Sequence, residues 1–231
     1  MPEEIARRPR PEAEELPVSV LYQDAAIIAV NKPPGMVVHP TYRNWSGTLL
    51  NALLWHVRDQ PGIRPSIVTR LDKDTSGLVL AALTPEVQAT IQKDAAGGRV
   101  KKEYLALVQG RPSEAAGTIS LPLARSPEDR RLVVVTPEGA RCETRYEVVS
   151  AIGDRSLLRC ELITGRTHQI RVHLAASGWP IVGDPVYGSR DDAIGRQALH
   201  AWRLSLPHPV TREPVVFVAP VPADLQRLLS W

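Results

Sequence analysis

The chain opens its ordered part at Val18, where VSVLYQDAAIIAVNKPPG reads as strand, turn, strand and loop. The run Gly77–Leu83 (GLVLAAL) is continuously apolar and short, as in a buried strand, and ends at Thr84-Pro85-Glu86. Those three residues are an N-cap, a proline at a position a helix tolerates and a first-turn acid. The pattern predicts a helix over Pro85–Ala96 stopped by Gly97-Gly98. KKEYLALVQG reads as a further strand. RCETRYEVV then alternates: Cys142, Thr144, Tyr146 and Val148 share one face, and Arg141, Glu143, Arg145 and Glu147 the other. LLRCELI alternates too, with Leu158, Cys160 and Leu162 opposite Arg159 and Glu161. The two segments flank Ile152-Gly153-Asp154, which predicts a hairpin with one wet face. THQIRVHLAASG reads as a short helix capped by Thr167 and stopped by Gly178. Many strands with a few interspersed helices indicate an α+β fold. No linker, low-complexity segment or internal repeat interrupts the chain after Val18. Residues 17–231 are therefore expected to form one domain, and residues 1–16, charged and proline-rich with little to bury, a disordered tail.

Composition narrows the function classes only a little. An apolar content of 43% suits a globular protein with a core. A formal charge of +3 with a pI near 9.0 permits nucleic-acid binding if the basic groups cluster. Arginine outnumbers lysine, which suits phosphate and base-edge contacts. The two cysteines, Cys142 and Cys160, have no metal-binding spacing; they are expected to be reduced core thiols, placed as neighbours by the two strands that carry them. No apolar run reaches the length of a membrane helix, and the N-terminus lacks the apolar stretch of a secretory signal. The expectation is a soluble cytoplasmic monomer without a membrane or obligate protein partner.

Two segments concentrate polar chemistry. The first is Thr69-Arg70-Leu71-Asp72-Lys73-Asp74-Thr75-Ser76-Gly77, packed just before the buried strand. An ordinary solvated loop looks the same, and Asp72 could simply cap a turn. Alternatively, a carboxylate at a strand entrance is fixed and partly desolvated, as catalysis requires. The second is Thr164–His173 (TGRTHQIRVH). His168 and His173 are five apart, about 140° around a helix, whereas a helical metal pair prefers a spacing of four. His168 and Arg171, three apart, share a helix face.

RLDKDTSGLVLAALT resembles the signature of the RluA-type family of pseudouridine synthases, which runs roughly H-R-L-D-x-x-T-S-G-L-L-L. LYQDAAIIAVNKPPGMVVHP resembles the family's opening, KKEYLALVQG its tyrosine strand, TGRTHQIRVHLAASGWPIVGDPVYG its arginine segment and LHAWRLSLPHPVTREPVVFVAP its C-terminal strands. The blocks keep the family's order and cover residues 18 to 225. Two departures stand out. Thr69 replaces the histidine before R-L-D, and the N-terminal ribosomal-protein-like RNA-binding domain of many relatives has no counterpart here. The chain thus resembles the short members, in which the catalytic domain itself selects RNA.

The resemblance implies a pseudouridine synthase fold, a mixed, mostly antiparallel central sheet flanked by helices and loops. It implies isomerisation of specific uridines in structured ribosomal or transfer RNA, in the sense that the N1–C1′ bond breaks, the ring turns and C5 bonds to C1′. No group is imported and nothing is oxidised or reduced, so neither cofactor nor metal is expected. Carried over from the motifs, Asp72 is the catalytic carboxylate, acting either as a nucleophile at carbon or as a base toward a ribose proton. Arg171 is its basic partner. Tyr104 lies against the uracil face and assists removal of the C5 proton. Arg70 fills the space left by a flipped base or holds the flipped nucleotide, and Arg166, His168 and Lys73 contact the RNA backbone. Two rival readings are a non-catalytic RNA-binding protein on the same fold, against which the intact Asp72, Tyr104 and Arg171 set argues, and a metal-dependent phosphodiesterase using Asp72, Asp74 and the histidines, which the histidine spacing disfavours.

Overall fold

A computed structural model of the chain describes residues 11–41, 44–191 and 193–229. Its elements run β1 (Ser19–Gln23), β2 (Ile27–Lys32), α1 (Leu49–His56), β3 (Ser66–Ile67), β4 (Ser76–Ala82), α2 (Pro85–Ala96), β5 (Lys101–Gln109), β6 (Ala116–Ile119), β7 (Leu123–Arg125), β8 (Val133–Val135), β9 (Thr144–Ile152), β10 (Arg155–Leu162), α3 (Gln169–Ala176), β11 (Leu199–Pro207), β12 (Pro214–Val218) and α4 (Ala223–Leu229). The main sheet is ordered β1-β2-β4-β11-β5-β10-β9-β6, with β12 added to β11 and β3 to β4. Every pairing is antiparallel except that of β4 with β11. The expected α+β fold with a mixed, mostly antiparallel sheet is what forms.

All seven residues of β4 are buried, which is why its sequence is an unbroken apolar run rather than an alternating one. Alternate residues serve two cores on opposite faces. Leu78, Leu80 and Ala82 join one with Ile91 of α2, Leu174 of α3 and Leu225 of α4. Val79 and Ala81 join the other with Leu49 and Leu53 of α1. The parallel contact of β4 with β11 is short, His200 opposite Ser76 and Ala201 opposite Gly77, and the rest of β11 turns to β12. Gly77 is essential at this junction. Its φ is +111°, and a Cβ there would lie 2.2 Å from the Ala201 carbonyl oxygen.

The α2 expectation holds to the residue, with Thr84 accepting from the Val87 amide and Gly97 as C-cap. Three readings need correction. Strand β9 begins at Thr144, so Cys142 lies before it, in a separate small cluster with Leu123 and Val172 rather than beside Cys160. Both thiols are free and buried. Helix α3 starts at Gln169, with His168 rather than Thr167 at the N-cap. Within it Gln169, Ile170, Arg171, Val172, His173 and Leu174 are all buried. Of the expected tail, residues 1–10 lie outside the described residues. Beyond them the chain is docked, because the Glu14 amide donates to the Asn51 carbonyl, the Asn51 side chain to the Glu12 carbonyl, and the Glu14 carboxylate accepts from the Gly47 amide. The polar end of α1 offers these partners, a long-range complementarity that composition does not reveal. No helix among the described residues is long and apolar enough to cross a membrane.

Candidate active site

The loop between β3 and β4 carries residues 68–75 to the entrance of β4, beside its short parallel contact with β11. Leu71 packs against both cores, one on each face, and so anchors the loop at its middle. Thr69, at the position where a histidine is usual, is buried. Its hydroxyl accepts a 2.8 Å hydrogen bond from the Leu80 amide, pinning the loop to β4. Two buried cations hold the far side. Lys32, fully buried at the end of β2, donates to the carbonyls of Pro33, Met36 and Lys73 at 2.7 to 2.9 Å. Arg196 donates to the Asp74 carbonyl at 3.1 Å and is itself held by Asp224. Burial lowers the Lys32 pKa to about 7 against the opposing charges of Asp74 and Asp72. The backbone on the C-terminal side of Asp72 is thus fixed by donors from two other parts of the chain.

Asp72 emerges into a cleft of about 570 Å³, a size ordinary for a small-ligand site. Among the described residues it is the one carboxylate in a lining that includes Arg70, Lys102, Arg125, Arg166 and Arg171. The Asp72 side chain is 25% exposed, and its Oδ2 accepts a 3.0 Å hydrogen bond from Nη1 of Arg171. Its Oδ1 has no hydrogen-bond donor among the described residues.

Arg171 projects from the first turn of α3 and is almost wholly buried. Its Nε and Nη2 form a fork with the fully buried Asp184, at 2.7 and 2.9 Å. Asp184 also accepts from the amides of Val186 and Tyr187. Burial opposes both charges. For Arg171 the hydrogen bonds and charges of Asp184 and Asp72 outweigh it and raise the pKa. For Asp184 the guanidinium and the two amides hold the carboxyl below its usual range. The Tyr187 ring lies 5.0 Å from the guanidinium, a cation–π distance. Asp184 and Tyr187 were not singled out from sequence. Their signal is the turn GDPVYG, in which an aspartate accepts from amides two and three residues on.

Tyr104 sits on β5, buried, with Asp72 near enough for its charge to be felt. Burial first, and that charge second, raise the phenol's pKa, so it is held protonated. Arg70 and Arg166 are exposed on the cleft's rim. His168 lines the cleft with its Nε2 3.9 Å from Asp72 Oδ2 and its Nδ1 2.8 Å from the Tyr187 hydroxyl. Its backbone is left-handed, φ 56°. Lys73 is exposed and outside the cleft lining, its carbonyl rather than its ammonium being used by the fold. His173 points into the core, between the Thr144 hydroxyl and the Leu121 carbonyl. The structure therefore brings together Asp72, Arg171, Tyr104, His168, Arg70 and Arg166, and leaves Lys73 aside.

The model of the family described as RNA pseudouridylate synthase matches residues 26–176, a span that holds Asp72, Tyr104 and Arg171. The chain belongs to the RNA pseudouridine synthase family. Within it, the chain is similar to a "Ribosomal large subunit pseudouridine synthase D" of Nitrosomonas europaea, 44% identical over 95% of this chain and 66% of that one. It is also similar to an "Uncharacterized RNA pseudouridine synthase YlyB" of Bacillus subtilis, 42% identical over 96% and 77%. These are relatives of the RluA type, and the chain spans about two thirds to three quarters of their length. Among solved structures, Human RNA Pseudouridylate Synthase Domain Containing 1 superposes with a TM-score of 0.74 at 29% identity, covering 92% of this chain and 87% of that one. Human RNA Pseudouridylate Synthase Domain Containing 4 gives 0.75 at 23% identity, covering 92% of both, and shares the fold. The synthase family consists of isomerases.

Proposed function

We propose that this chain isomerises uridine to pseudouridine in ribosomal RNA, with Asp72 as its catalytic carboxylate. The observation that carries the proposal is the state of Asp72. Among the described residues it is the lone carboxylate of a cationic cleft, anchored by Arg171 through one oxygen with no donor on the other. Addition of the carboxylate to carbon and abstraction of a ribose proton both start from a carboxylate with one oxygen held and the other open to the cleft. Tyr104 supplies a ring for the uracil to lie against. Held protonated, it takes up the C5 proton only if its own is given away, so its first role is as a surface and a donor.

A uridine in a stem is stacked, and its sugar and base must turn outward to reach Asp72. Arg70, two residues away and exposed, is placed to fill or brace the vacated position. Arg125, Arg166 and Lys102 offer charge to the flanking phosphates. Ribosomal RNA is preferred over transfer RNA because the Nitrosomonas relative is named for the large ribosomal subunit. The test is to incubate the protein with unmodified ribosomal and transfer RNA in excess chelator and map new pseudouridines. New sites in ribosomal RNA are expected. Sites confined to transfer RNA would reverse the substrate assignment, and none in either RNA would reject the activity.

A further inference from the structure

The Tyr187 hydroxyl sits between two groups whose roles are unequal. The Val133 amide can only donate, and it lies 2.9 Å from the phenol oxygen. The other neighbour is Nδ1 of His168 at 2.8 Å. These are the hydroxyl's hydrogen bonds among the described residues. With the amide proton already directed at the oxygen, the hydroxyl's own proton has Nδ1 as its acceptor. Nδ1 is then unprotonated in the neutral ring, and the ring proton sits on Nε2. The same assignment follows independently from the other side. Nε2 faces Asp72 Oδ2 at 3.9 Å, and an N–H there attracts the carboxylate whereas a lone pair repels it.

We propose that Tyr187 locks His168 as the neutral Nε2–H tautomer, and that this N–H, together with Arg171, steers the Asp72 carboxylate so that Oδ2 is turned inward and Oδ1 is presented to the target nucleotide. His168 is thus a positioning residue. At 3.9 Å the N–H is not yet a hydrogen bond; it acts as an oriented dipole that tightens when a bound base displaces water from the cleft. The left-handed backbone of His168 agrees with this. A histidine in that conformation is strained, and strain of this kind persists where surrounding structure fixes it. Here the fixing contacts are the Tyr187 hydrogen bond and the start of α3. The charged and titratable groups facing the ring are Asp72, Arg171, Asp184, Arg125 and the Tyr187 phenol. Burial lowers the His168 pKa, offset by Asp72 and reinforced by Arg171, which keeps the ring neutral at neutral pH.

The effect on turnover rests on the proposed function, but the tautomer does not, so the two can fail separately. Nitrogen NMR of histidine-labelled protein is expected to show a protonated Nε2 and an unprotonated Nδ1 for His168, assigned by loss of the signals in His168→Asn. In Tyr187→Phe, which keeps the ring over Arg171, the preference should collapse toward a mixture and the ring should protonate at higher pH. Pseudouridine formation by Tyr187→Phe should fall at least about threefold more at about pH 6 than at about pH 8. His168→Gln places an amide N–H near the Nε2 position, while His168→Asn suits the left-handed backbone but falls short. His168→Gln should therefore retain more turnover than His168→Asn. A wild-type ring protonated on Nδ1 overturns the proposal. So does an Asn variant at least as active as the Gln variant, which would leave only a backbone role.

Discussion

Asp94 and Asp72 are both paired with arginine, and they are held in opposite ways. Asp94, at the end of α2, has a side chain only 2% exposed. Its Oδ1 accepts from Nε and Nη2 of Arg99 and from Nη2 of Arg212, and its Oδ2 from Nη1 of Arg212. Among the described residues Asp72 receives one side-chain hydrogen bond, on one oxygen, and its carboxylate lines the cleft. The hydrogen bond from Arg212, ahead of burial and of the bond from Arg99, determines the Asp94 pKa, which is lowered to about 2. A carboxylate saturated with donors is a poor nucleophile and a poor base, because its lone pairs are already committed. Asp94 is therefore a clamp tying α2 to the β11–β12 hairpin, whereas Asp72 keeps an oxygen open for the reagent's role proposed for it. What separates them is how many donors each has and whether a cavity lies in front. Arginine pairing alone does not distinguish them.

The largest effect after loss of Asp72 itself is expected from Arg171→Met. Without the guanidinium Asp72 loses its one hydrogen bond, and turnover should fall at least about a hundredfold. The change also leaves Asp184 buried without its partner, a situation that costs about 3–5 kcal/mol. Thermal unfolding should show a lower Tm for Arg171→Met and a partial recovery in Arg171→Met/Asp184→Asn, with no recovery of turnover. Arg171→Lys should retain more activity than Arg171→Met, because it keeps the charge but loses the fork. Wild-type turnover in Arg171→Met would remove Arg171 as the partner of Asp72.

Next in size is the clamp. Asp94→Asn should lower stability by roughly 2 kcal/mol while leaving turnover per folded molecule within about twofold of wild type. The pH dependence has a definite sign. The folded-state pKa of Asp94 lies below its ordinary value, so its contribution is present above about pH 4 and is lost as pH falls toward about 2. Urea unfolding over that range should show wild type losing stability more steeply than Asp94→Asn. Parallel slopes for the two proteins would remove Asp94 from the acid response.

The smallest effect concerns the rim. Arg70→Ala should lose about tenfold more activity on an RNA whose target is stacked in a stem than on one whose target lies in a flexible bulge. Equal losses on both would reduce Arg70 to a phosphate contact.

The two regions also differ in how legible they were. Helix α2 was readable to its ends because Thr84, Pro85 and Gly97 are local signals, each acting within a turn of itself. Helix α1 was not read, since LLNALLWH is a short apolar run that periodicity alone cannot assign. Strands β11 and β12 were expected only through resemblance. Asp72, Tyr104 and Arg171 were named from motifs, and their meeting in one cleft depends on β5 and α3 arriving from distant parts of the chain. The buried fork of Asp184 on Arg171, the Tyr187 hydrogen bond to His168 and the carbonyl cage around Lys32 depend on tertiary geometry with no period to betray it. Thr167 looked like the cap of α3 because threonine favours that position. The backbone instead turns left-handed at His168, where the side chain is engaged with Tyr187.

The most direct test of the difference between the two aspartates is a single-turnover measurement of pseudouridine formation. Asp72→Asn, Asp94→Asn and wild type would be compared on one ribosomal RNA fragment, at a temperature where all three are folded by circular dichroism. Each substitution keeps the side chain's shape and removes one negative charge. The predicted result is no detectable pseudouridine from Asp72→Asn, with RNA affinity within a few-fold of wild type because phosphate contacts dominate binding, and near-normal rates from Asp94→Asn. Appreciable turnover by pure Asp72→Asn would contradict the assignment of Asp72 as the catalytic carboxylate.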